Sequence, residues 1–239
     1  MNGGGIPTAT PPRPEEVASR LDVVRRRIET AGGDPESVRV VAVTKGFGPA
    51  AVAAAVHVGL LDVGENYAQE LVGKASAVPP LIPQGASVRW HFLGAVQRNK
   101  VRSLAPLVSC WEGVTREVEG EEIARRRPKA EVLVEVDVSG VPGRNGCPPS
   151  GVEGLVRSLI DLGLDVQGLM TVAPVDPDMA RSSFRTVREL ADSLSLPVRS
   201  MGMSGDLELA VAEGSTMVRV GHALFGDRPP RPDHSARVA

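Results

Sequence analysis

From residue 38 onward, short β-branched apolar runs alternate with stretches whose apolar residues recur at helical spacing. The runs Val38 to Val43, Leu61 to Gly64, Val88 to Leu93, Leu107 to Trp111, Glu131 to Val138, Asp165 to Thr171, Pro197 to Ser200 and Thr216 to Val220 predict eight strands. Between them lie helical patterns such as Val152, Leu155, Val156, Leu159 and Ile160, or Phe184, Val187, Leu190 and Leu194. Runs such as Val40 to Val43 are apolar without alternation, as expected when both faces of a parallel strand are covered. Eight βα units in about 200 residues predict an α/β fold, a single (β/α)8 TIM barrel at its compact limit. An open doubly wound sheet is the competing arrangement, but no Gly-x-Gly-x-x-Gly follows the first run. Ahead of the barrel, Val17, Leu21, Val24 and Ile28 share one helical face and Gly32-Gly33 ends the pattern, which predicts an additional N-terminal helix.

Both ends break the alternation. Gly3-Gly4-Gly5 with Pro11-Pro12, and Pro229-Pro230-Arg231-Pro232, cannot bury enough apolar surface to offset ordering. The expected organisation is a disordered segment over 1–13, the barrel over 14–227 and a disordered tail over 228–239. A length of 239 residues, 42% apolar, admits either two small domains or one barrel, and eight βα units leave room for only the barrel.

Composition then removes whole classes of partner. The net charge of −2 and the scarcity of aromatics (Phe 4, Trp 2, Tyr 1) provide neither a field nor a stacking surface for nucleic acid. No apolar run approaches the ~20 residues of a membrane span, and Met1 to Pro14 carries no hydrophobic signal segment, so a cytoplasmic location is expected. Cys110 and Cys147 suit neither a disulfide framework nor a zinc site, and His57, His91, His222 and His234 are scattered, so no metal is expected. A lone barrel is expected to be a monomer.

In such a barrel the chemistry sits where strands end and helices begin. The first run ends Ala42-Val43-Thr44-Lys45-Gly46, and a lysine at the barrel mouth loses hydration, which frees its amine to form an imine with an aldehyde. The seventh ends Ser200-Met201-Gly202-Met203-Ser204 and the eighth Val218-Arg219-Val220-Gly221-His222, and the loops after strands seven and eight are the recurring phosphate site of this architecture. A lysine with that cradle suits a phosphorylated aldehyde or ketone, either pyridoxal 5′-phosphate or a sugar phosphate in an aldolase-like reaction. Arg219 favours the first, because a cation there could face a pyridine nitrogen and keep it unprotonated. In Gly64-Glu65-Asn66-Tyr67-Ala68-Gln69-Glu70, Asn66 could reach a ligand and Glu65 could orient another group. His91, between Trp90 and Phe92, reads as a barrel-interior histidine, and its role stays open.

These segments together resemble the pyridoxal-phosphate homeostasis protein family, whose fold resembles the N-terminal barrel of bacterial alanine racemase. The likeness runs from about residue 15 to 227 and rests on Val41 to Lys45, Gly64 to Tyr67 with Gln69-Glu70, Trp90 to Gly94 with Gln97 and Asn99-Lys100, Gly168 to Met170, Ser200 to Ser204 and Gly214 to Gly221. The resemblance implies pyridoxal phosphate held as an imine by Lys45. It further implies a phosphate held by Ser200, Ser204 and backbone near Gly221 and His222, Arg219 facing the pyridine nitrogen, and Asn66 and Met203 completing the site. It implies a carrier or regulator of vitamin B6 pools without established turnover, in transient contact with apo-enzymes that use the cofactor. A racemase is the alternative; it needs a second base, supplied in alanine racemases by a tyrosine of another domain, whereas the one tyrosine here is Tyr67 within the barrel. The sequence departs from the family pattern at His222 (commonly Thr), Gly205 (commonly acidic) and Arg144-Asn145-Gly146 (commonly Lys-x-Gly).

Overall fold

The computed structural model describes residues 12–141 and 143–228. Eight parallel strands follow one another around a closed barrel: β1 (Arg39–Val43), β2 (Asp62–Glu65), β3 (Arg89–Phe92), β4 (Val108–Val114), β5 (Glu131–Glu135), β6 (Asp165–Met170), β7 (Val198–Ser200) and β8 (Met217–Val220). The barrel shuts where Arg39 to Ala42 pair with Met217 to Val220. All eight predicted runs are strands, and the sheet closes. The disordered ends expected over 1–13 and 228–239 lie, apart from Pro12, Arg13 and Arg228, outside the described residues.

The outer layer is helical: α1 (Pro14–Thr30), α2 (Pro49–His57), α3 (Ala68–Ala77), α4 (Arg98–Leu104), α5 (Glu117–Arg126), α6 (Val152–Asp161), α7 (Pro177–Ser193), α8 (Leu207–Ala212) and α9 (His222–Phe225). Among the described residues no helix is long and apolar enough to cross a membrane. Between strands and helices runs the larger core, including Trp90, Phe92, Trp111, Ile123, Val132, Val134, Leu159 and Phe184. Inside the barrel the apolar filling is small, Cys110, Leu133 and Met170, and polar side chains supply much of the rest.

The predicted N-terminal helix forms, starting at Pro14, where the Glu16 carboxylate accepts from the Arg13 backbone N–H (3.4 Å) and from its guanidinium (2.8 Å). Its face of Val17, Leu21, Val24 and Ile28 is buried against Ala51, Ala54, Leu207, Val218 and Leu224, at roughly 1.5–3 kcal/mol per side chain. Two arginines on this helix reach the mouth: Arg27 donates to the Ser204 carbonyl (3.0 Å) and pairs with Glu208 (2.5 Å), and Arg20 donates to the Leu224 carbonyl (3.2 Å). The extra helix thus braces the loops after β7 and β8.

Candidate functional site

A cavity of about 250 Å³ opens at the C-terminal ends of the strands. Lys45 and Asn66 line it from β1 and β2, Met203, Ser204 and Gly205 from the loop after β7, and Arg219, Gly221 and His222 from β8 and its loop. Val43, Leu93, Met170 and Val172 form its apolar part. Arg228, which the sequence reading did not single out, lines it as well. The cavity therefore collects Lys45, Arg219 and Arg228, and among the described residues no carboxylate lines it.

Lys45 is half-buried, and its amine lies below the ordinary lysine value because burial disfavours the ammonium and Arg228 and Arg219 repel it. The backbone around it is clamped. The Thr44 hydroxyl donates to Glu65 Oε1 (2.5 Å), the Thr44 carbonyl accepts from Lys74 Nζ (2.8 Å), and the Gly46 N–H donates to Glu70 Oε2 (2.8 Å). Lys74 itself pairs with Glu65 at 2.5 Å, both buried. Burial holds the Glu65 carboxyl above its usual value, with Lys74 and Thr44 pulling the other way. Glu65 thus has an orienting role, toward Thr44. Lys74 was missed; the only hint was a lysine at i+4 from Glu70 and i+3 from Leu71, on the inward face of α3.

Arg219 is buried and fixed from three sides. Its Nη1 donates to the Ser200 carbonyl (2.7 Å) and to Ser200 Oγ (2.8 Å), and its Nη2 to the Thr171 carbonyl (2.7 Å). Ser200 Oγ donates onward to Glu112 Oε2 (2.6 Å), Glu112 Oε1 faces His91 Nδ1 (2.6 Å), and His91 Nε2 faces Asp62 Oδ1 (2.8 Å). Burial alone would lower the His91 pKa, but its two carboxylate partners push it up to about 9. Charges alternate along this file, from Arg219 through Glu112 and His91 to Asp62. Burial works against the Glu112 carboxylate, yet His91, Arg219 and Ser200 hold it below the usual range.

Ser200 departs from expectation. It was expected to hold a phosphate, but it does not line the cavity: its side chain is fully buried with its hydroxyl spent on Glu112 and Arg219. The last residue of a three-residue strand points inward or outward according to barrel register, which its own sequence does not reveal. His91 does sit in the barrel interior, and Glu112, its partner, went unnoticed because one glutamate in β4 carries no local signal. His91, Cys110 and Glu112 bring one ligand atom each within 4.8 Å of one another, a convergence the scattered sequence positions hid. Both His91 nitrogens face carboxylates and burial pushes the Cys110 thiol well up, so two of the three groups, His91 and Cys110, hold their protons, whereas a metal requires its ligands deprotonated.

Other residues take plain structural positions. Ser204 Oγ accepts from the Ala223 N–H (3.2 Å), which joins the loops after β7 and β8, and the Met203 N–H donates to Asp206 (2.6 Å). His222 is exposed beside Asp227 (3.1 Å). Arg144 donates to the Val172 carbonyl (2.7 Å), tying its loop to the cavity's apolar wall. The Asn66 Oδ1 is buried without a hydrogen-bond partner, and Gly94 lies so near that a Cβ there would sit 2.1 Å from the Asn66 carbonyl oxygen.

The model of the alanine racemase N-terminal domain family matches residues 15–229. The chain is 36% identical over 223 residues to a pyridoxal phosphate homeostasis protein of Pseudomonas aeruginosa, covering 90% of this chain and 95% of that one. It is 34% identical to a protein of the same name from Aquifex aeolicus, covering 90% and 97%. These relatives are named as homeostasis proteins, not as enzymes. Among solved structures, PipY of Synechococcus elongatus with pyridoxal phosphate bound matches with a TM-score of 0.76 at 30% identity, over 88% of this chain and 100% of PipY. An alanine racemase of Corynebacterium glutamicum shares the fold, with a TM-score of 0.67 at 18% identity over 92% of this chain and 64% of the racemase.

Proposed function

The chain belongs to the pyridoxal phosphate homeostasis proteins, built on the alanine racemase N-terminal barrel, and from that premise we propose that it binds pyridoxal 5′-phosphate in the Lys45 cavity and serves its supply and storage without catalytic turnover. The observation that carries this reading is the lining itself: a half-buried lysine with a lowered pKa, two arginines and, among the described residues, no carboxylate and no partner for the buried Asn66 oxygen. Those residues fit the group. When bound, the cofactor supplies an electrophilic aldehyde and an electron-accepting ring.

The protein's part is holding and tuning. Lys45, its pKa lowered by burial and the nearby arginines and its backbone clamped through Thr44 and Gly46, supplies the amine for a reversible imine linkage. Ser204 and the backbone at Gly221 and His222 hold the phosphate, and Met203 and Asn66 complete the wall. Arg219, held by Ser200 and Thr171 with Glu112 favouring its charge, would face the pyridine nitrogen and disfavour its protonation, which would weaken the ring as an electron sink. A sugar phosphate would make no use of that buried guanidinium. Ser200 acts through Arg219 rather than on the phosphate. We place the protein in the cytoplasm as a monomer over 14–227 that meets apo-enzymes transiently.

The test is the visible spectrum of the protein mixed with pyridoxal phosphate, before and after borohydride, with peptide mapping. Imine absorbance and a reduced adduct on Lys45 are expected. A Lys45→Ala variant that acquires the same absorbance would overturn the assignment. Exchange of the alanine α-hydrogen in heavy water is expected at the rate of free cofactor, and a rate well above it would restore the racemase reading.

A further inference from the structure

A second cavity, of about 190 Å³, adjoins the first at the C-terminal ends of β2 and β3, and Asn66 lines both. Its walls include Tyr67, Gln69, Phe92, Gln97 and Lys100, side chains of two motifs that the cofactor reading leaves unused. Among the described residues no carboxylate lines it. Lys100 brings its one charge and enters no ion pair among the described residues, and the Gln69 and Gln97 amides have no hydrogen-bond partner there either. The dividing wall holds the unpartnered Asn66 oxygen, and a buried polar atom left unpaired in a folded protein calls for an explanation. One cation, neutral amide donors and an aromatic face in a small space suit a small monoanion with an apolar part.

Strand order gives this cavity a direction. Around the barrel, β7 and β8 carry the Ser204 and His222 loops, β1 carries Lys45, and β2 and β3 carry the second cavity, so Lys45 lies between the two. We propose that the second cavity binds the carboxylate of a small α-amino acid, with Lys100 as its counter-charge, Gln69 and Gln97 as amide donors, Phe92 against its side chain and its amine directed to Lys45. The carboxylate site stands on the cavity alone; the orientation of the amine rests on the cofactor reading.

Tyr67 is the one tyrosine in the chain and it lines the cavity, so ring-¹³C-tyrosine labelling places a single NMR signal at the site. The cofactor-free protein is titrated with L-alanine, pyruvate, inorganic phosphate and methylammonium, and the series is repeated after loading with pyridoxal phosphate. Both carboxylates are expected to move the signal saturably, phosphate and methylammonium are not, and alanine should gain over pyruvate only in the loaded protein. Lys100→Gln should weaken the carboxylates at least tenfold while leaving the cofactor's visible absorbance and the circular dichroism unchanged. No saturable shift with either carboxylate, an equal response in Lys100→Gln, or an equal response to phosphate would overturn the carboxylate site. Carboxylate binding without an alanine preference in the loaded protein would overturn the orientation. Failure of the cofactor reading shows separately, as the absence of visible absorbance on adding pyridoxal phosphate.

Discussion

His91 should make the barrel lose stability as the pH rises past neutrality. The imidazole has no solvent exposure and lies between Asp62 and Glu112, and its pKa is pushed up to about 9 from the ordinary histidine value of 6.5. A folded-state pKa above the unfolded one favours folding fully below the unfolded value, and that contribution is lost as the pH climbs through the folded value. At ~1.4 kcal/mol per pH unit the difference is worth about 3 kcal/mol, most of it lost between pH 6.5 and 9. With ~2–4 °C per kcal/mol for a domain of this size, Tm should fall by roughly 6–12 °C across that window. Thermal unfolding followed by circular dichroism from pH 6 to 9.5 measures this in the wild type and in His91→Gln. The variant is expected to be less stable at pH 6, because it strands two carboxylates, but nearly flat over the window. Should the variant not fold, NMR of the wild type carries the test: the His91 ring signal should stay in its protonated position until about pH 8. A His91 midpoint near 6.5, or the same decline in His91→Gln, would refute the reasoning.

Two further substitutions probe the framework behind the site. Lys74→Met leaves the buried Glu65 carboxylate without its cation and is expected to cost about 3–5 kcal/mol in urea unfolding. Adding Glu65→Gln should recover most of that loss, and a single variant within ~1 kcal/mol of wild type contradicts the buried pair's role. Gly94→Ala would press a Cβ to 2.1 Å from the Asn66 carbonyl oxygen, for an expected cost of ~1–3 kcal/mol together with weaker uptake of pyridoxal phosphate measured by absorbance. Gly73→Ala, inside α3 with nothing within 4 Å of its added Cβ, should instead stabilise by ~0.5–1 kcal/mol; equal losses in both would mean that helix and loop glycines act alike, against the close-approach argument.

Much of the molecule was legible because its signals are local. Apolar β-branched runs separated by helical periods mark parallel strands wherever they occur, and eight of them in series leave a closed barrel as the compact arrangement. Lys45, Asn66, Ser204, Arg219, Gly221 and His222 could be proposed together because each follows or ends a run, and the strand ends of a barrel share one face. Reading the departures is equally local: Gly205 was noticed as a substitution, and the structure places it on the cavity wall with nothing within 4 Å of an added Cβ.

What tertiary structure decided concerns partners far apart in the chain. Ser200 and Glu112 are 88 residues apart and Arg219 and Thr171 are 48 apart, and no periodicity shows that they touch. The inward or outward sense of Ser200 depends on the register of its neighbours across the barrel, and that register sets its hydroxyl against Glu112 and Arg219. Likewise the N-terminal helix was visible from its apolar stripe, but only its docking showed that Arg20 and Arg27 brace the mouth loops. Hydrophobic period is a property of a segment and survives in the sequence. Charge compensation inside a barrel is a property of the closed sheet, where desolvation forces each buried ion to find its partner in space.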